Sequence, residues 1–242
     1  MTRPLPLTLA ALAILLFGHA AVAQAPATLT AEDRTAIQGL VSGYARALSA
    51  CNAEEYADLF APDTGYFASG IRGQVVGRER LIALVQSERQ CVAAAGTPAA
   101  PRPGGGNGPT VTIEPTSTGA RGVADLGAAG QYQDEYVKTA KGWRFQSRTV
   151  LIPAERAAGL DATEMRAIQK LAAPTPAADY YVPDQKGTPS LRTSGVEIIV
   201  KGSDVMGHAY LKDGGYYDDV YERLGPGQWR IKSRVQVPAA TR

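Results

Sequence analysis

Tyr132-Gln133-Asp134-Glu135-Tyr136, a turn at Ala140-Lys141-Gly142, and Trp143-Arg144-Phe145-Gln146-Ser147-Arg148 form the stretch whose reading decides the fold. Tyr132, Asp134 and Tyr136 alternate with Gln133 and Glu135, the period of a strand with two unlike faces, and the glycine turn leads back into a second strand. The pattern recurs downstream. Gly122, Ala124, Leu126, Gly130, Tyr132, Asp134 and Tyr136 reappear without a gap as Gly207, Ala209, Leu211, Gly215, Tyr217, Asp219 and Tyr221. One residue inserted in the next turn then brings Trp143, Arg144, Ser147 and Arg148 onto Trp229, Arg230, Ser233 and Arg234. Coincidence of infrequent residues such as Trp and Gly at matched spacing marks an internal repeat.

Upstream of the first copy the spacing predicts helices. Thr30 caps one from about Ala31 to Ala50, with Glu32 and Asp33 in the dipole-favoured first turn and a stripe of Ile37, Leu40, Val41, Tyr44, Leu48 and Cys51. Asn52 and Glu55 cap a short second helix that buries Tyr56, Leu59 and Phe60, and a third covers Arg78 to Cys91. Asp63 begins a turn, and Tyr66-Phe67-Ala68 reads as a strand. Gly96 to Pro109 is too rich in Pro and Gly for a regular element. Thr110 to Pro153 is expected to form three long antiparallel strands. Asp161 to Leu171 is one more helical stretch, a Pro-rich linker follows, and the second strand-rich region occupies Leu191 to Pro238. Antiparallel strands with one apolar face need a cover. The second copy must therefore pack on its single helix, on the first unit or on another chain.

The chain starts with a basic residue, Arg3, an apolar run from Leu7 to Phe17, and Ala21-Val22-Ala23 before Gln24. That order reads as a secretory signal over residues 1–23, and the run is too short for a bilayer span of ~20 residues. The expected location is secreted or periplasmic. Cleavage removes one base and no acid from 25 Lys+Arg and 23 Asp+Glu. The near-balance gives no electrostatic case for nucleic acid or an anionic membrane. Cys51 and Cys91 are the two cysteines, and on their own they leave a disulfide and two separate thiols equally open.

Three helices followed by a long sheet ending in Gly142-Trp-Arg-Phe-Gln-Ser-Arg148 resemble the nuclear transport factor 2-like superfamily, in particular its SnoaL-like branch. The resemblance rests on Tyr44-Ala-Arg-Ala-Leu48, Leu59-Phe-Ala-Pro-Asp63, Gly77-Arg-Glu-Arg-Leu81 and Tyr132-Gln-Asp-Glu-Tyr136 with Trp143. It implies an α+β cone, three N-terminal helices wrapped by a curved antiparallel sheet, over residues 24–153. A helix and Pro-rich linker (154–189) and a smaller partial sheet repeat (190–242) follow. It also places Cys51 at the end of helix one and Cys91 at the end of helix three, which favours a bridge between them.

Fold does not settle activity. Ketosteroid isomerases of this superfamily hold an enolate oxygen with a helix-one tyrosine and a protonated aspartic acid, and move the proton with a carboxylate base. Tyr44 and Asp134 fall on the first two positions. The base position falls on Ala68, which cannot accept a proton, and a missing general base removes roughly 10²- to 10⁴-fold. Dehydratases of this fold use paired histidines, whereas the one histidine after cleavage, His208, matches Val123 in the first copy and reads as a packed or surface residue. Histidine metal clusters are excluded on the same ground, and no cofactor is implied.

What remains is a set of Tyr44, Tyr66, Tyr132, Asp134, Tyr136 and Arg148. As a ligand-binding pocket it would take a small apolar or aromatic molecule; as architecture, Asp134 and Arg148 form an ion pair between strands with the tyrosines as core. Three functions stay open: a pocket protein, which requires a cavity beside Tyr44 and Asp134; a lyase or isomerase using Asp134 and Tyr44; and a structural or interaction protein, homodimeric or partner-binding, which an unpaired edge or uncovered apolar face within residues 190 to 238 would support.

Overall fold

In the computed structural model, the described residues are 28–88, 91–92, 108–172, 180–183, 189–192, 196–212 and 214–239. The segment expected to be a signal, residues 1–23, and most of the Pro/Gly-rich stretch lie outside them. Helix α1 (Ala31–Ser49) starts in a capping box: the Thr30 hydroxyl accepts from the Asp33 amide, and the Asp33 carboxylate accepts from the Thr30 amide. Its buried stripe keeps Ile37, Leu40, Val41 and Tyr44 of the predicted set and continues through Ala47, while Leu48 is half-buried and Cys51 lies past the helix end. Helix α2 (Ala53–Asp58) is capped by Asn52, and α3 (Arg78–Gln86) stops at Ser87, short of Cys91. The expected bridge is present: Cys51 and Cys91 are disulfide-bonded with Cα atoms 5.4 Å apart.

The strands β1 (Tyr66–Ser69), β2 (Gly73–Val76), β3 (Thr112–Pro115), β4 (Ala120–Asp125), β5 (Gln131–Thr139) and β6 (Gly142–Leu151) form one sheet in the order β2-β1-β6-β5-β4-β3. All pairs are antiparallel except β1 with β6, which run parallel with Phe67 opposite Arg148. Two strands, β2 and β3, go beyond the three long ones expected between Thr110 and Pro153 plus the strand at Tyr66. The sheet wraps α1, and the core between them takes Tyr56, Phe60, Phe67, Tyr136 and Phe145.

Helices α4 (Pro153–Ala157) and α5 (Ala162–Ala172) follow, then a two-stranded pair, β7 (Tyr180–Pro183) inside the segment expected to be linker and β8 (Pro189–Arg192) at its boundary with the expected strand-rich region. A second sheet has β9 (Val196–Lys201), β10 (Asp204–Tyr210), β11 (Tyr216–Gly225) and β12 (Gln228–Val237) in the order β12-β11-β10-β9. Its apolar face lies on α5, where Met165, Ile168 and Ala172 meet Val196, Val205, Ala209 and Tyr221. It also touches the first unit, since the Ile198 amide donates to the Gly70 carbonyl at 2.8 Å. Of the three covers the second copy could have used, the single helix is the main one. No helix among the described residues is long and apolar enough to cross a membrane.

Candidate functional site

The alternation of β5 and β6 sends Tyr132, Asp134, Tyr136 and Arg148 to the α1 side of the sheet, where Tyr44 projects from the helix. Arg148 Nε donates to Asp134 Oδ1 at 2.9 Å and Nη2 to Oδ2 at 2.7 Å, while the Tyr136 hydroxyl donates to Oδ2 at 2.7 Å. The guanidinium carbon lies 4.2 Å from the ring centres of Tyr44 and Tyr132 and 4.3 Å from that of Phe145. Rings at this distance attract a cation through their negative faces. Neither side chain of the ion pair is exposed.

Burial alone pulls the Arg148 pKa down, but the Asp134 carboxylate more than reverses it, so the guanidinium is held charged. Burial pushes the Tyr44 hydroxyl well above its ordinary range, and the Tyr136 hydroxyl, beside the Asp134 charge, rises too. Neither of these two hydroxyls is a phenolate near neutral pH. One donor is left over: Arg148 Nη1 is buried without a hydrogen-bond partner.

Tyr66 is apart from the set. It pairs with Ser147, so it faces the opposite side of the sheet, where its hydroxyl accepts from Arg166 Nη1 at 2.7 Å. The residue on the Arg148 side is its neighbour Phe67. Ala68 also faces away from Asp134, and Asp63 sits in its turn at φ +61. Phe145 and Tyr56 join the aromatic set that sequence reasoning limited to tyrosines of the strands and α1; Tyr56 packs on Tyr44 with centroids 5.1 Å apart.

The second sheet carries the same constellation. Arg234 Nε donates to Asp219 Oδ1 at 2.6 Å and Nη2 to Oδ2 at 2.7 Å, and the Tyr221 hydroxyl donates to Oδ2 at 2.9 Å. In both sheets a glycine makes room for the tyrosine: a Cβ at Gly122 would meet the Tyr136 ring at 2.8 Å, and one at Gly207 the Tyr221 ring at 2.9 Å. Helix α5 takes the place of α1. The Trp143 indole donates to Asp33 in the first turn of α1 at 2.8 Å, and the Trp229 indole donates to Glu164 in the first turn of α5. Placing Glu164 on Asp33 also brings Ala162, Ala167, Ile168, Gln169 and Leu171 onto Ala31, Ala36, Ile37, Gln38 and Leu40. The signal was in the chain, hidden because the helix-to-strand distances differ between the copies.

The copies diverge around the arginine. Arg234 lies 4.5 Å from the Tyr217 ring, the one ring it faces among the described residues; Ile231 stands where the first copy has Phe145, and the Arg234 side chain is 30% exposed. His208 stands on the outer face of the second sheet, 3.8 Å from Glu197 and 3.7 Å from Asp218, with its ring 4.6 Å from that of Tyr216.

Among the described residues, five cavities stand out, and none is lined by Tyr44, Tyr132 or Arg148. One of about 390 Å³ opens on the other face of the first sheet, between Arg121, Gln133 and Glu135 and the start of α5 at Asp161 and Thr163. Arg121 is paired there with Glu114 and Arg166 with Glu135, and Asp161 accepts from the Thr163 and Glu164 amides at the start of α5.

Comparison with solved structures finds a protein of unknown function with a cystatin-like fold from Nostoc punctiforme, 20% identical, covering 52% of this chain and 97% of that one at a TM-score of 0.36. An NTF2-like protein with a cystatin-like fold from Novosphingobium aromaticivorans is 22% identical, covering 52% and 88% at 0.37. A second Nostoc punctiforme domain of unknown function with a cystatin-like fold is 18% identical, covering 60% and 97% at 0.37. No curated protein matches the chain. The family model of the SnoaL-like domain matches residues 29–149, half of the sequence, and the chain belongs to that family.

Proposed function

We propose that this is an exported interaction protein, in which the cone of residues 24–153 is a packed platform and the second sheet, completed by α5, is the binding part. The observation that carries this reading is the state of β12. Residues 232–236 are all exposed, on both faces of a strand at the edge of its sheet. Such an edge presents a row of unpaired N–H and C=O groups.

The catalytic reading is weakened by the same geometry. Asp134 already accepts three hydrogen bonds, leaving about one acceptor site of the roughly four a carboxylate has. Arg148 occupies the space beside Tyr44 that a substrate would need. A small apolar or aromatic ligand keeps one specific support, the unpartnered Arg148 Nη1, which suits a ligand carrying a single acceptor oxygen beside an aromatic body. A thermal-shift screen of aromatic ketones and carboxylates tests that second reading, a stabilisation lost in Tyr132→Ala being the positive result.

The interaction reading is tested by placing a photo-crosslinking residue at Val235 and, as a control, at the exposed Glu79 on α3, in the cells that make the protein. An adduct of one defined mass from position 235 and none from 79 is expected. No adduct from 235 sinks the reading. Export is checked by sequencing the mature N-terminus, expected to begin at Gln24.

A further inference from the structure

The first sheet records what this kind of edge accepts. Strand β6 matches β12, and its free side is taken by β1, with Tyr66 opposite Ser147, Phe67 opposite Arg148, Ala68 opposite Thr149 and Ser69 opposite Val150. The matching positions on β12 are Ser233, Arg234, Val235 and Gln236, and β12 has no neighbour on that side among the described residues. The ladders share one irregularity, a register shift between Glu135 and Tyr136 in one sheet and between Val220 and Tyr221 in the other; the second sheet adds a further shift between Arg223 and Gly225, near the turn that carries its inserted residue.

The direction of the free backbone groups follows from the first unit as well. Phe145, whose side chain faces the core, turns its N–H to the Leu59 carbonyl and its C=O to the Ala61 amide, away from β5. Side-chain face and backbone direction alternate together along a strand. Arg234 and Gln236, inward-facing like Arg148 and Val150, therefore turn their N–H and C=O groups to the open edge, while Ser233 and Val235 bond to β11.

Resting on the interaction reading above, we propose that the β12 edge binds an extended, uncharged segment of a partner protein, parallel to β12, with a large apolar or aromatic side chain opposite Arg234 as Phe67 lies opposite Arg148. The chemistry favours this occupant. Asp219 already neutralises Arg234, so an acidic residue gains no partner there, whereas an aromatic face can rest on the 30%-exposed guanidinium where Tyr44 and Phe145 have no equivalent. Main-chain pairing supplies affinity and the alternate side chain supplies selectivity. A second copy using its own β12 is disfavoured by Lys232 on that strand, the kind of edge lysine that keeps like edges apart; Arg230 and Arg234 are already paired, with Glu222 and Asp219.

The chain supplies its own probe. A labelled peptide of residues Thr64 to Gly77, the β1–β2 hairpin, is titrated into the mature protein and followed by fluorescence anisotropy and amide exchange. Saturable binding with half-saturation below about 1 mM is expected, with slowed exchange at Arg234 and Gln236. Gln236→Pro, which removes an outward N–H on an edge where proline is tolerated, should weaken binding at least tenfold with the melting temperature unchanged. The peptide with Phe67→Asp should fail on the unaltered protein, a control independent of folding.

Absence of binding at 1 mM, or binding indifferent to both changes, overturns the proposal. So does self-association that Gln236→Pro abolishes, which gives the edge to a second copy. In each case an adduct at Val235 would leave the interaction reading standing and remove only the strand chemistry.

Discussion

Arg148 and Asp134 are joined by two hydrogen bonds, of 2.9 and 2.7 Å, with neither side chain exposed, and the repeat of this pair, Arg234 and Asp219, leaves its arginine partly open to solvent. Breaking a buried pair strands one uncompensated charge, at a cost of about 3–5 kcal/mol. Asp134→Asn should therefore lower the melting temperature by roughly 6–20 °C at 2–4 °C per kcal/mol. Asp219→Asn should cost less than half as much, because water reaches Arg234. Equal losses would show that the two pairs share one environment. The double change Asp134→Leu with Arg148→Met should recover most of the first loss, as a packed apolar pair often matches an ionic one.

The disulfide spans a sequence separation of 40 residues. Chain-entropy arguments put the stabilisation from closing such a loop at about 3–4 kcal/mol. Reduction, or Cys51→Ser with Cys91→Ser, should lower the denaturation midpoint accordingly. Cys51 sits at φ +55, a left-handed conformation disfavoured for a side chain, so the single change Cys51→Gly should lose less than Cys51→Ser. A midpoint unmoved by reductant would remove the bridge from the stability account.

Glu155 is the buried carboxylate of the junction between the units. Its Oε2 accepts from the Ile152 amide, and its Oε1 lies against Gly70, where a Cβ would meet it at 2.0 Å. Burial pushes its pKa up from 4.5 to about 7, opposed by the Ile152 hydrogen bond. The folded state thus holds a proton that the unfolded chain releases near its ordinary pKa. Stability falls as pH rises from about 4.5 through about 7 and levels off above that, a change on the order of 1–3 kcal/mol. Glu155→Gln, which keeps the acceptor and loses the charge, should be more stable than the parent at pH 8 and nearly equal at pH 4. Denaturation curves at the two pH values decide it, and a parent that gains stability between pH 5 and 8 relative to the variant contradicts the assignment.

Gly122→Ala should displace Tyr136 from Asp134, because the new methyl group would lie 2.6 Å from Val111 Cγ2 and 2.8 Å from the Tyr136 ring. Overpacking of this kind costs about 1–3 kcal/mol. Gly207→Ala should do the same against Tyr221, where the Glu197 carbonyl, at 2.7 Å, adds a backbone obstacle that cannot turn aside. Near-ultraviolet circular dichroism should report the tyrosine movement in both; unchanged spectra and melting would mean the rings tolerate a side chain beneath them.

Local patterns carried much of the fold. The α1 stripe, the Thr30 cap and the strand alternation of β5 and β6 are set by neighbours within a turn or two, and they were legible. Strand β2 was not, since Gly73-Gln74-Val75-Val76 is too short for a period, and it exists because Tyr66 to Ser69 offers it a partner. Strand β7 was hidden in a Pro-rich run for the same reason. Of the candidate site, the register of β1 on β6 decided the one misplaced residue: the alternation is visible in Tyr66-Phe67-Ala68, but which phase faces the core depends on pairing with a strand far along the chain.

The sequence by itself determined the helix faces, the strand periods, the charge balance and the repetition of Tyr, Asp, Trp and Arg at fixed spacing, because these are properties of neighbouring residues. Only the tertiary structure decided that Asp134 is bound by Arg148, that α5 stands in for α1, and that β12 has no neighbour among the described residues on the side where β6 has β1. Those outcomes depend on which distant segments meet. Burial, which turns an aspartate and an arginine from surface charges into a locked pair, exists only once they have met.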